Sequence, residues 1–308
     1  MNRTAETADL SVSIGNVQLA NPVLPASGTF GEAYARVFDI ARLGALVPKT
    51  IMPTPRAGHP APRLAEAAGG LVNAIGIPTQ GSASLVDVVA RYARYGPPVV
   101  VSLSADTVDD FAEIARVADG SAARALELNL SCPNLEEGGR AFALDPGPTA
   151  AVVAACRRAT SRPLWIKLSP NTGQASAVAR AAQDAGADAL IMGNTQLALV
   201  LKGDGSPALA NRTGGLSGRP LKPVMLRLVD EIAQATQLPI IGCGGICELS
   251  DVLDYMAVGA SAVAVGTASL ARPQAMPELI DALAAHCAAH GLAARDLVKR
   301  RRREALRH

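Results

Sequence analysis

Short, continuously apolar runs alternate with helical patterns along most of this chain, and that alternation limits the folds open to it more than any other feature. Helical patterns at 84–95, 108–117, 147–158, 174–185, 222–235, 250–257 and 276–290 are interleaved with apolar runs at 98–103, 122–128, 164–168, 187–192, 239–241 and 262–265. A run without polar alternation is what a strand covered on both faces requires, and parallel sheets are covered in that way. Two earlier runs, 21–26 and 45–50, bring the strands to eight. Eight such units predict a closed (β/α)8 TIM barrel, and 308 residues suit one barrel domain over 1–308 with insertions. The alternative is an open, doubly wound sheet.

Two additions to the barrel are expected. Residues 10–14 and 17–19 alternate around Gly15-Asn16, a pair suited to a tight turn, so an N-terminal β-hairpin is placed at the barrel bottom. A short helical stretch is expected at 32–42. Residues 52–80 are rich in Pro and Gly and longer than an ordinary connection, which predicts an inserted active-site loop. Within it, Leu71-Val72-Asn73-Ala74-Ile75-Gly76 reads as a folded segment carrying one polar contact over a site.

Apolar residues make up 49% of the chain but aromatics only 3%, so Ala, Val, Leu and Ile must fill the barrel layers. A net charge of +2 gives no field that would favour nucleic acid. The basic run Lys299-Arg300-Arg301-Arg302-Arg303 reads as the solvated end of the last helix. Five cysteines form no even framework and no signal peptide is apparent, which points to a reducing cytoplasm. No apolar run is long enough for a membrane span, and no His/Cys spacing suggests a metal site.

The C-terminal strand ends of a barrel carry its chemistry. Read there, the sequence presents Ser27, Lys49 with Thr50, Ser102, Asn129 with Cys132, Lys167, Asn194 with Thr195, Gly244 with Gly245, and Gly266 with Thr267. Cys132 lies between two asparagines in Asn129-Leu-Ser-Cys132-Pro-Asn134; it is either a proton-transferring thiol or a small buried hydrophobe. The glycine turns after the seventh and eighth strands allow close backbone approach to a phosphate. Lys167 ends an apolar strand, where an ammonium is costly unless an anion meets it.

Together, Asn73-Ala-Ile-Gly76, Asn129-Leu-Ser-Cys132-Pro-Asn134, Lys167-Leu-Ser-Pro-Asn171, Thr213-Gly-Gly-Leu-Ser-Gly218 and Val265-Gly-Thr267 resemble the class 1 dihydroorotate dehydrogenases, most closely type 1B, over about 10–289. The resemblance implies an FMN enzyme that oxidises dihydroorotate to orotate in pyrimidine synthesis. It makes Cys132 the base that takes the C5 proton while hydride leaves C6 for flavin N5. It surrounds the substrate with Lys49, Asn73, Ala74, Ile75, Gly76, Ile77, Asn129, Asn194 and Thr195. It gives FMN to Ser27, Lys49, Thr50, Ser102, Asn129, Lys167, Gly218, Gly244, Gly245, Gly266 and Thr267. It also implies a homodimeric core and an iron-sulfur/FAD electron-transfer subunit.

Four positions depart from the family pattern: Ser102 in place of the usual Asn, the stretch Ile77-Pro-Thr-Gln-Gly81 without an Asn, Gly193 where a bulky aliphatic is usual, and the segment 196–210. Gly193 is expected to loosen the pocket wall. A dihydropyrimidine dehydrogenase-like flavin barrel acting on another cyclic amide, a tRNA dihydrouridine synthase and a non-catalytic FMN-binding barrel are the alternatives.

Overall fold

In a computed structural model, which describes residues 8–131 and 142–298, the chain folds as a (β/α)8 barrel. Cys132 and the basic run 299–303 lie outside the described residues.

The chain opens with the hairpin of β1 (Val12–Ile14) and β2 (Val17–Leu19), turned at Gly15 with φ +57°. The first barrel strand, β3 (Val23–Pro25), is followed by two short 3₁₀ turns, Glu32–Arg36 and Ile40–Arg42, where one helical stretch was expected. A second hairpin, β4 (Leu64–Ala67) and β5 (Gly70–Asn73), occupies the insertion. The regular units then run α1 (Leu85–Ala93), β6 (Val100–Leu103), α2 (Val108–Asp119), β7 (Ala125–Asn129), α3 (Pro146–Ala159), β8 (Leu164–Leu168), α4 (Ala175–Asp184) and β9 (Ala189–Met192). After β10 (Gln196–Leu199) and β11 (Thr213–Gly218) come α5 (Lys222–Ala235), β12 (Ile240–Cys243), α6 (Leu249–Ala257), β13 (Ala262–Val265), the short α7 (Thr267–Ala271) and α8 (Ala275–His290).

Seven strands form one parallel sheet in the order β3-β13-β12-β9-β8-β7-β6. The segment 44–51 closes the barrel between its two edges. Gly44 N donates to Val23 O at 2.9 Å on one side, and on the other Val100 N donates to Leu46 O at 2.9 Å and Ile51 N to Ser102 O at 2.8 Å. The pairing is broken because Leu46 stands opposite Val99 and Ile51 opposite Leu103, so this strand holds one residue more than its neighbour. Pro48 within it has no N–H to give, and an extra residue there makes a bulge that re-aims side chains. Lys49 and Thr50 are the residues it delivers to the barrel mouth.

The period of two sorts each strand into an inner and an outer core. Leu24, Ala45, Val47, Val100, Ala125, Trp165, Ala189, Ile191, Ile241 and Ala262 fill the barrel interior together with Val12, Ile14, Val17 and Leu19 of the hairpin, which plugs the bottom. Leu126, Leu128, Ile166, Leu190 and Val263 point outward into the larger core under the helices. Local signals agree with this placement. Thr107 caps α2 by accepting from Asp110 N at 3.1 Å, with Asp109 and Asp110 in the positive first turn; Gly291 at φ +63° ends α8.

The strands β10, β11, β5 and β4 form a separate antiparallel sheet in that order. It was not expected from the sequence. Thr213-Gly-Gly-Leu-Ser-Gly218 carries the glycines of a loop, and β4 and β10 leave Leu64, Leu197 and Leu199 exposed, so neither shows its apolar residues on a buried face.

Candidate active site

A cavity of about 370 Å³ opens at the C-terminal ends of the parallel strands, roofed on one side by the antiparallel sheet. Of the residues singled out above, Ser27, Lys49, Thr50, Asn73, Ile75, Gly76, Ile77, Asn129, Lys167, Asn194, Thr195, Gly218, Gly244, Gly245, Gly266 and Thr267 line it. They come from every part of the chain and meet only because each ends a strand or borders one.

Two residues assigned to the site stand outside the lining. Ala74 is fully buried with Val72 and Leu209 inside the antiparallel sheet, because it faces away from Asn73 along the extended chain. Ser102 lies beneath the floor, fully buried, with its hydroxyl on Glu127 Oε1 at 2.6 Å and 2.9 Å from Thr50 Oγ1. It supports a lining residue from below.

Lys167 is 4% exposed, and its ammonium donates to Ser27 Oγ at 2.9 Å; among the described residues it makes no ion pair. Its hydrogen-bond partner among the described residues is a neutral hydroxyl, and an anionic or strongly polar ligand edge would complete its bonding. Lys49 approaches from the segment 44–51, beside β3: a Cβ added at Gly28, where φ is +90°, would lie 3.7 Å from its Nζ.

Beside Lys167, at the ends of the adjacent strands β7 and β9, stands a set of amides. Asn194 Nδ2 donates to Ser131 Oγ at 2.6 Å, and the Ser131 hydroxyl to Asn129 Oδ1 at 3.0 Å. Asn73 is held across the sheet by its bond to Gly215 O at 3.3 Å, its register partner on β11. Asn171 ties the start of β10 to the barrel, donating to Thr195 O at 3.0 Å and accepting from Gln196 Nε2 at 2.6 Å.

Gly193 does not loosen the wall. Its φ is +134°, and a Cβ there would fall 1.8 Å from the Cys243 carbonyl oxygen, so the space an aliphatic side chain would occupy is filled by the backbone of β12. The glycine is required by that close approach.

Cys243 and Cys247 also line the cavity, and sequence reasoning passed over both as site residues. Burial raises the Cys243 thiol, and the Glu127 carboxylate adds to this while the Lys167 ammonium opposes it. Burial likewise raises Cys247 above the ordinary thiol range. Both are therefore kept as neutral thiols, poorly suited to take a proton. Glu127 itself was also missed. A lone acid within the apolar run Ala125-Leu-Glu-Leu-Asn129 was the signal that could have found it.

Among the described residues no group of three or more His, Cys, Asp and Glu could hold a metal ion, and no helix is long and apolar enough to cross a membrane.

A parallel barrel whose strand ends open on a cavity carrying polar side chains, with cations from two strands and glycine turns after the last two, defines an α/β-barrel enzyme site. The comparisons with known proteins give its family. A family profile described as dihydroorotate dehydrogenase matches residues 9–286. The dihydroorotate dehydrogenase B (NAD(+)) catalytic subunit of Pelobacter propionicus is 44% identical over 291 residues, covering 92% of this chain and 95% of that one. The protein of the same name from Desulforudis audaxviator is 48% identical over 270 residues, covering 86% and 88%. A crystal structure of DHODH from Eimeria tenella in complex with ferulenol superposes with a TM-score of 0.80 at 25% identity, covering 96% of this chain and 89% of that one. The chain belongs to the dihydroorotate dehydrogenase family, and its resemblance is to the B type; it is an oxidoreductase.

Proposed function

We propose that the chain oxidises (S)-dihydroorotate to orotate in pyrimidine synthesis, with FMN held by the cavity at the strand ends. The observation that carries this reading is Lys167, a buried ammonium whose one hydrogen bond among the described residues is to Ser27, at a cavity whose rim holds the Gly244-Gly245 and Gly266-Thr267 turns. That donor set fits a ligand with a phosphate at one end and an electron-rich ring at the other. When bound, FMN supplies the acceptor for the hydride that leaves C6 of the substrate.

The chain's own residues divide the remaining work. Lys167 and Ser27 meet the polar edge of the ring and favour negative charge there. Gly218, Gly244, Gly245, Gly266 and Thr267 take the phosphate end, and Thr50 the floor. Lys49 faces the substrate carboxylate, while Asn73, Asn129, Asn194 and Thr195 bond the ring's amide groups, with Ile75, Gly76 and Ile77 closing over it. Cys132 takes the C5 proton onto sulfur. The neutral state of Cys243 and Cys247 favours this assignment, since neither lining thiol is set up to compete. Ala74 and Ser102 act from behind, as packing for Asn73 and support for Thr50.

The relatives are named as the catalytic subunit of dihydroorotate dehydrogenase B (NAD(+)), a name that supports a second subunit, here proposed as an iron-sulfur/FAD partner that carries the electrons onward. A homodimer is the proposed core. Leu197 and Leu199 stand exposed on the edge strand β10, with Leu201 exposed two residues past its end, and such a row is a natural protein contact. The proposed location is the cytoplasm.

The test is product formation. FMN-loaded protein with (S)-dihydroorotate and an artificial acceptor is expected to yield orotate, with dihydrouracil a poor substitute. Turnover of dihydrouracil to uracil with no orotate formed would favour the dihydropyrimidine dehydrogenase-like reading. Replacing Lys167 by Ala is expected to weaken FMN retention by about tenfold or more, the loss of one charge-assisted bond; unchanged flavin content after dialysis would remove Lys167 from its assigned role.

A further inference from the structure

Glu127 has no part in the reaction proposed above, yet it is 3% exposed in the middle of β7, where Ala125 below it faces the barrel interior and Leu126 and Leu128 on either side face the outer core. Its Oε1 receives the Ser102 hydroxyl at 2.6 Å. A serine has one proton to give. With that proton on the carboxylate, Ser102 can only accept from Thr50, 2.9 Å away, and the Thr50 hydroxyl must point down.

Thr50 Oγ1 then has only lone pairs facing upward, and Asn129 Nδ2 donates to it at 3.5 Å. This turns Asn129 Oδ1 to the other side, where it accepts the Ser131 hydroxyl at 3.0 Å. Ser131, its proton used, accepts from Asn194 Nδ2 at 2.6 Å, and Asn194 Oδ1 is left to accept the Thr195 backbone N–H at 2.8 Å. Every bond in the series runs toward the carboxylate.

We infer that Glu127, acting through Ser102 and Thr50, is a positioning residue that sets the polarity of the two cavity asparagines, Asn129 and Asn194. An asparagine amide turned by 180° keeps its shape and reverses its donors and acceptors, so packing alone does not choose between the two states. A relay that ends on an acceptor-only group does choose. It occupies both amide oxygens with the protein's own donors, Asn129 Oδ1 also receiving Asn194 Nδ2 at 3.5 Å, and leaves an Asn129 N–H for the ligand. The wall is thereby matched to a ring rich in carbonyl and carboxylate oxygens rather than one presenting amino groups. The inference rests on the reading of the cavity as the orotate site.

Ser102→Ala cuts the relay with little change in volume. In FMN-loaded protein it is expected to leave the flavin bound and to weaken orotate binding by about three- to tenfold, the value of one net hydrogen bond. Glu127→Gln replaces the acceptor-only end of the relay by an amide that can also donate, and is expected to weaken orotate binding toward the Ser102→Ala value. Parent-like orotate affinity in Ser102→Ala or in Glu127→Gln would overturn the inference. A parent that binds no orotate would sink the functional reading instead. The relay is then decided by the side-chain amide NMR signals of Asn194: Ser102→Ala shifts them if the relay exists, and leaves them in place if it does not.

Discussion

The parallel barrel and the antiparallel sheet that borders its mouth enclose one cavity, yet they are built on opposite terms. In β6, β7, β8, β9, β12 and β13 every residue is buried, so each polar group among them is held on both sides. In β4 and β10 exposed and half-buried residues alternate, and Leu64 stands at the cavity rim while 53% exposed. The barrel thus supplies groups with fixed positions, such as Lys167, Asn129 and Glu127. The sheet supplies Asn73 and Ser217 on a surface with one wet face, the lower-stability kind from which ligand-covering elements are drawn.

Four experiments would break or sharpen that contrast. The largest effect is expected at Cys132, three residues after Asn129 in the sequence. Cys132→Ser should keep FMN and slow its reduction by about 10²- to 10⁴-fold, as loss of a positioned base does; equal rates in rapid mixing would reject the assignment. Next is Gly193→Val, at the barrel end of the β9 turn. A side chain there meets the Cys243 carbonyl, so thermal or denaturant unfolding should show a loss of about 3 kcal/mol or more; parent-like stability would mean the barrel end yields more readily than its packing implies.

Hydrogen exchange compares the two sheets directly. Amides of β5 and β11 are expected to exchange about tenfold or more faster than those of β7 and β8, and saturating orotate should narrow the gap. Equal protection in the free protein would end the distinction. The smallest effect is expected at Trp165, the largest fully buried side chain, whose Nε1 has no hydrogen-bond partner among the described residues. In Trp165→Phe the lost packing is offset by removing that unsatisfied group, for a net change below about 1.5 kcal/mol. A much larger loss would show the barrel interior to be less forgiving than its aliphatic lining suggests.

The same contrast explains what the sequence made legible. Continuous apolar runs report strands buried on both faces, so the parallel strands, their order and the polar residues at their ends could be read directly. Lys49, Asn129, Lys167 and Gly244 all stand at the cavity for that reason. The antiparallel sheet was invisible because its strands are short and half-exposed, and the glycines of β5 and β11 read as loop. The depth of a side chain below a strand end was also hidden. Ser102 and Ala74 carry the right chemistry or neighbours but sit one layer too deep or face the wrong way, and linear order does not report the bulge that lifts Thr50 above Ser102. Gly193 shows a further gap, since a missing side chain reads as open space until the backbone that fills it is known.

The central claim is that this cavity brings a flavin ring and dihydroorotate together within reach of Cys132. Anaerobic rapid mixing of the FMN-loaded chain with (S)-dihydroorotate, with no partner subunit and no acceptor, tests it most directly. The account predicts that the yellow flavin absorbance is lost with one equivalent of substrate and that orotate is released in equal amount. A chain that takes up no FMN, or a yellow protein whose colour dihydroorotate leaves unchanged, would contradict it.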